Sequence, residues 1–235
     1  MKQTARLAIV CMAVLSFSGY AHNVTIPKDI NEMSLNKVTD NVYVVHGTRS
    51  MPDKANKGFI SNSGFVVSDE GVVIVDTGGS LQIGEMLLQK ISEVTDKPVI
   101  AVFNTHIHGD HWMGNAAIRN AYPEARIYAH ERAIERLQNG EAEQWLDMFM
   151  QSTDGAIEGT QIVLPDNALK GGESIEAAGN TFKIHHTGKA HTDNDIMIEY
   201  PEHKTLFAGD IVIYGSTVSG ARPQDFSATG QIAAV

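Results

Sequence analysis

The sequence predicts a mixed α/β domain, on two observations. Short runs rich in Val and Ile read as buried or half-buried strands. Between them, apolar residues recur at helical spacing. Strands interleaved with helices imply sheets covered by helices. The 235 residues suffice for one sizeable domain, and 43% apolar with 20% charged residues excludes global disorder. A net charge of −10 without a basic block speaks against nucleic acid as a partner. A small-molecule substrate is expected. Oligomeric state is not legible.

Taken in order, Met1–Ala21 reads as a signal peptide. Lys2 and Arg6 form a positive start, and Leu7–Phe17 is an apolar core too short to span a bilayer. Gly19-Tyr20-Ala21 puts small residues where a signal peptidase reads, so cleavage is expected after Ala21. The product would be periplasmic or secreted, with no stable membrane association. Cys11 is the one cysteine and lies in the apolar core. The mature chain would then hold no disulfide and no thiolate, so His and carboxylate must hold any metal.

Residues 22–40 form a polar, aperiodic leader, and the domain is expected over 41–235. Asn41–His46 is the first strand expected, and Gly47–Lys57 a polar surface loop. Gly64–Ser68 and Gly71–Asp76 form a hairpin around Asp69-Glu70. Ile83, Leu87, Ile91 and Val94 mark a helix over Leu81–Thr95, closed by Pro98. Pro98–Phe103 is a buried strand; Gly114–Asn120 starts a helix; Ala125–Ala129 is a strand; Glu131–Met150 is the longest helical pattern. Five short strands follow at Gln161–Leu164, Ser174–Ala177, Thr181–His186, Asp195–Glu199 and Lys204–Ala208. Trp145, Leu146, Met148 and Phe149 read as packing residues.

Chemistry concentrates in Thr105-His106-Ile107-His108-Gly109-Asp110-His111, just past the Pro98–Phe103 strand. If the strand conformation persists beyond Asn104, His106 and His108 point the same way. Two imidazoles on one side begin a zinc site. Gly109 lets the chain fold back, so that Asp110 and His111 face a second position. His191 and Asp210 each follow a later strand, where loops from several strands can converge.

His106-x-His108-x-Asp110-His111, Gly188-x-x-His191-Thr192 and Phe207-Ala208-Gly209-Asp210 together resemble the metallo-β-lactamase fold superfamily of hydrolases. Asp76-Thr77-Gly78 resembles that family's turn after the early hairpin, where the Asp supports the site without binding metal. The resemblance runs from Asn41 to Gly215. It implies a four-layer αββα sandwich with two zinc ions in a cleft at one edge. His106, His108 and His191 would bind one zinc; Asp110 and His111 the second; Asp210 would bridge them. It also implies that a metal-bound hydroxide attacks a carbonyl, with Asp110 orienting it and passing a proton to the leaving group. Iron or manganese also suits so oxygen-rich a second position.

The pattern departs from the family in three ways. The family supplies a further His to the second zinc, whereas none of the 25 residues after Asp210 is His. The final strands and helix are expected to be missing, making the domain C-terminally incomplete. Asp210 stands where one group of true β-lactamases has Cys, and Ile213 where that group has a substrate-binding Lys. The expected activity is hydrolysis of an ester, thioester, lactone or lactam. The rivals are a true β-lactamase and, from another class, a non-catalytic metal-binding accessory or sensor.

Overall fold

The computed structural model describes residues 33–213 and 225–234, and the backbone of residues 8–10. The remaining signal-segment residues and the expected cut after Ala21 lie outside the described residues. Ala8–Val10 forms β1. Leu35–Lys37 (β2) and Val42–Val45 (β3) open the domain proper, so part of the polar leader is a strand. Ser63–Val67 (β4) and Val72–Val75 (β5) are the expected hairpin. Leu81–Ser92 (α1) follows, capped by Ser80, whose Oγ accepts from the Ile83 N–H. Its last expected residues, 93–95, leave the helix as a turn.

Next come Val99–Phe103 (β6), Gly109–Trp112 (α2), Asn115–Ala121 (α3) and Arg126–His130 (β7). The long helical pattern from Glu131 is broken into Glu131–Arg136 (α4) and Ala142–Ser152 (α5). The break lies at Asn139-Gly140, where Gly140 takes a φ of 99° that ends helical geometry. Gln161–Leu164 is not a strand; the chain pairs instead at Asn167–Leu169 (β8), with β7. Ser174–Ala177 (β9), Asn180–His185 (β10), Met197–Tyr200 (β11) and Thr205–Phe207 (β12) are close to expectation. Ala228–Ala234 (α6) is a short final helix.

The strands make a seven-stranded sheet, β2-β3-β4-β5-β6-β7-β8, and a five-stranded sheet, β1-β12-β11-β10-β9. The first is antiparallel from β2 to β5 and parallel from β5 to β8. Ala8–Val10 lies parallel to β12, with Ala8 opposite Thr205.

The continuous apolar run in β5 is explained by its two buried faces. Val73 and Val75 point between the sheets, where they join Val66, Phe103, Phe182, Ile198 and Phe207. Val72 and Ile74 point outward, onto Ile83 and Leu87 of α1 and Ile118 of α3. α1 and α3 meet backbone to backbone, since a Cβ on Gly84 would lie 2.4 Å from the Gly114 carbonyl oxygen. On the outer face of the other sheet, Met197 and Leu206 pack with Ala234 of α6. The layering is therefore helices, sheet, sheet, helix. No helix among the described residues is long and apolar enough to cross a membrane.

Candidate metal centre

The site forms where strands of both sheets end on one edge, the usual place for ligands in sheets with parallel strands. β5 delivers Asp76 and β6 delivers the His cluster; the loop after β10 carries His191, and Asp210 follows β12. The condition for simple alternation is not met: β6 ends at Phe103, and residues 106–108 bend. Hydrogen bonds hold that bend. Asp76 accepts from the Thr105 N–H at 2.7 Å and the Thr105 hydroxyl at 2.8 Å. Asn194 accepts from the Ile107 N–H at 3.0 Å. The imidazoles of His106 and His108 still converge, 4.7 Å apart between ring centres.

His106, His108 and His191 each offer a ring nitrogen, all within 4.8 Å of one another and all buried. Nδ1 of His108 and Nε2 of His191 are 3.0 Å apart. His106, His111 and Asp210 form a second such group, so His106 borders both, more than the resemblance gave it. Nε2 of His111 lies 3.5 Å from Asp210 and 3.3 Å from Asp110. Asp210 reaches back to Nε2 of His191 at 3.6 Å, between the two groups. All six residues singled out in the sequence thus lie in one cluster. Gly209 makes room for this: its φ is +54°, and its Cα faces the Thr105 side chain so closely that a Cβ would come within 2.9 Å.

The electrostatics differ between the groups. Burial drives His106 well below the usual imidazole range, and the neighbouring histidines add to this. Burial likewise pushes His191 down to about 4, against the pull of Asp210. Both present neutral lone pairs at pH 7. Burial would lower His111 too, but Asp110, Asp76 and Asp210 together lift it well above its ordinary value. Burial would raise Asp210, but His111, His191 and His108 hold it ionised far below the carboxylate range. Nε2 of His106 is buried without a hydrogen-bond partner, which is rare for a polar atom unless it serves a ligand. The neutral imidazoles of His106 and His191 suit a divalent cation directly, and at the second group a cation would take the place of the proton that the three carboxylates hold on His111. The donor set therefore fits the metal pair that the resemblance implied.

A family model, the metallo-beta-lactamase superfamily, matches residues 56–235. The chain belongs to that superfamily. A hydroxyacylglutathione hydrolase of Synechococcus sp. (strain JA-2-3B'a(2-13)) is 30% identical over 133 residues, covering 57% of this chain and 42% of its own length. Metallo-beta-lactamase IND-1 of Chryseobacterium indologenes is 26% identical over 156 residues, covering 66% of this chain and 56% of its own. The chain thus spans about half the length of these relatives, or less. Among solved structures, a metallo-beta-lactamase from Pontibacter korlensis superposes with a TM-score of 0.63 at 18% identity, covering 83% of this chain and 80% of that one. That likeness confirms the superfamily fold.

Several supporting residues escaped the sequence reading. Thr105 links Asp76 to Nδ1 of His106 at 3.0 Å. Asp195 accepts from the Thr192 N–H at 2.6 Å and its hydroxyl at 2.7 Å, fixing the loop that carries His191. Burial raises that carboxyl to about 6. Ser61 donates to the Asp110 carbonyl at 2.6 Å. The polar run Thr192-Asp193-Asn194-Asp195 directly after a candidate ligand was the available signal.

Proposed function

We propose that the protein is an exported hydrolase that holds two zinc ions in this cleft and cleaves an acyl bond of ester, thioester, lactone or lactam type. One observation carries the reading: two donor groups share one buried cluster, with Asp210 between them. His106, His108 and His191 would hold the first ion, and Asp110, His111 and Asp210 the second. Bound divalent cations there supply acidified water at neutral pH and polarise a carbonyl. The chain's own groups do the rest. Asp110 is fixed by Ser61 at its carbonyl, while its partly exposed carboxylate stands beside His111, placed to orient water and carry a proton to the leaving group. Asp76 accepts from Nδ1 of His111, which sets that ring's direction and tautomer. Imidazole nitrogens and carboxylate oxygens as donors support zinc, with iron or manganese as the rivals in the second position.

Within the acyl class, Asp210 and Ile213 stand where the resembling β-lactamases place Cys and Lys, which favours an ester, thioester or lactone over a lactam. The relatives' names span a hydroxyacylglutathione hydrolase and a metallo-beta-lactamase. Lys2, Arg6 and the apolar Leu7–Phe17 support export to the periplasm or beyond, and cleavage after Ala21 would remove β1 and leave β12 at the edge of the smaller sheet. The test is a panel of a thioester, a lactone and a chromogenic lactam, assayed before chelation, after it, and after zinc is returned. The expected result is turnover of the thioester or lactone that chelation abolishes and zinc restores. Turnover indifferent to the chelator contradicts a metal mechanism. Exclusive lactam turnover favours the β-lactamase, and tight metal without turnover favours the accessory protein.

A further inference from the structure

Arg136, at the end of α4, bonds three carboxylates at once. Its Nε and Nη2 grip Glu141 at 2.6 and 2.9 Å, Nη1 donates to Asp193 at 2.8 Å, and Nη2 meets Asp225 at 2.9 Å. One of these carboxylates is buried against the donor cluster. Asp225 is 3% exposed, its Oδ2 has no hydrogen-bond partner, and it faces the equally unpartnered Nε2 of His108 at 4.0 Å. An imidazole that gives Nδ1 to a metal must carry its proton on Nε2, so Nε2 becomes a donor aimed at an acceptor. A second line runs from Arg136 through Asp193. Oδ1 of Asp193 also accepts from Nδ2 of Asn194, and Oδ1 of that Asn holds the Ile107 N–H between His106 and His108. One guanidinium thus reaches both sides of the three-histidine group.

We propose that Arg136 is a positioning residue for the first metal, holding Asp225 against His108 and Asp193 beside His191 so that the three imidazoles stand ready for the ion. This rests on the metal-binding reading above. The planar fork of Arg meets all three partners in fixed directions, and a Lys could not reproduce this.

The experiment uses the full chain, stripped of metal and titrated with zinc against a chelator of known affinity, and separately with cobalt while the visible absorption is followed. Arg136→Met should weaken the tighter zinc site by about 10- to 100-fold, as loss of a ligand's supporting partner does elsewhere. It should also shift the cobalt band, and Arg136→Lys should recover part of both. A purely structural Arg would lower the melting temperature and leave the cobalt spectrum of the folded fraction unchanged. A folded Arg136→Met with wild-type zinc affinity and cobalt spectrum overturns the proposal. If that variant does not fold, Asp225→Asn decides: weakened zinc binding and a shifted band uphold it, and wild-type behaviour overturns it. A wild-type chain that binds no zinc overturns the metal reading itself, and this proposal with it.

Discussion

Asp76 has no solvent exposure, takes a left-handed backbone with φ of 61°, and its carboxylate makes three hydrogen bonds, two with Thr105 and one with His111. A non-glycine residue in that conformation marks a place where the surroundings over-determine the backbone. Here the return is two ligand segments, Thr105-His106 and His111, locked to one carboxylate. Asn tolerates the same conformation, so Asp76→Asn isolates the charge. It should weaken the second zinc by about 10- to 100-fold and destabilise the apo-protein by about 3 kcal/mol. Zinc stoichiometry and the urea midpoint check this, and an unchanged stoichiometry with a wild-type midpoint would refute it. His130 gives the pH prediction. Burial, helped by His186, lowers it to about 4, while its Nδ1 accepts from the Arg132 N–H as a helix cap. The unfolded chain takes up that proton near pH 6.5 but the folded one refuses it. The stability present above about pH 6.5 is therefore lost as pH falls toward about 4. His130→Asn keeps a capping acceptor without the titration. Its urea midpoint should fall less than the wild type's between about pH 7 and about 4.5, and equal slopes would refute this. At this scale His106, His108, Asp110 and His111 were legible because their spacing is local and their residue types are rare together, while His191 and Asp210, far along the chain, were assigned through the family resemblance. Thr105, Asp195, Asp225 and Arg136 were not legible, because each acts through a partner that only the folded chain brings near.

At the scale of elements, periodicity located the hairpin β4–β5, the helix α1 and the strand β6 within a residue or a few, since each buries a face that the pattern records. It failed where one glycine overrode a good pattern. Asn139-Gly140 splits the helix expected over Glu131–Met150, and only that turn brings Glu141 back onto Arg136. A side chain on Gly140 would meet nothing within 4 Å, so the cost of Gly140→Ala is purely one of backbone. We expect a loss of about 1 kcal/mol in urea unfolding. A variant as stable as the wild type would mean that the turn is not held in this conformation. Gln161–Leu164 misled for a different reason. Its apolar residues Ile162 and Leu164 pack beside Trp145 and Phe149 without pairing to a strand. Burial alone made the segment look like one.

Across the whole molecule, periodicity made the class of fold legible and the family resemblance supplied the pairing of two sheets, whereas the order and register of the strands were not legible, because long-range register leaves no local trace. What joins the sheets is shape: Gly64 of β4 lets the ring of Phe207 of β12 approach so closely that a Cβ would lie 2.6 Å away. That contact brings the end of β12, with Asp210, onto the edge where β6 delivers the histidines. Ion binding should therefore tie the sheets together. Chelation should lower the melting temperature, and excess zinc should raise it by the mass-action term, while an unresponsive melting curve would speak against a shared site. The most direct measurement is a calorimetric zinc titration of the metal-free chain beside His108→Ala and Asp210→Ala. Two equivalents in the wild type, with the stoichiometry or affinity cut in each variant, is the predicted result. A correctly folded wild type that takes up no zinc, or a His108→Ala variant that binds as the wild type does, would contradict it.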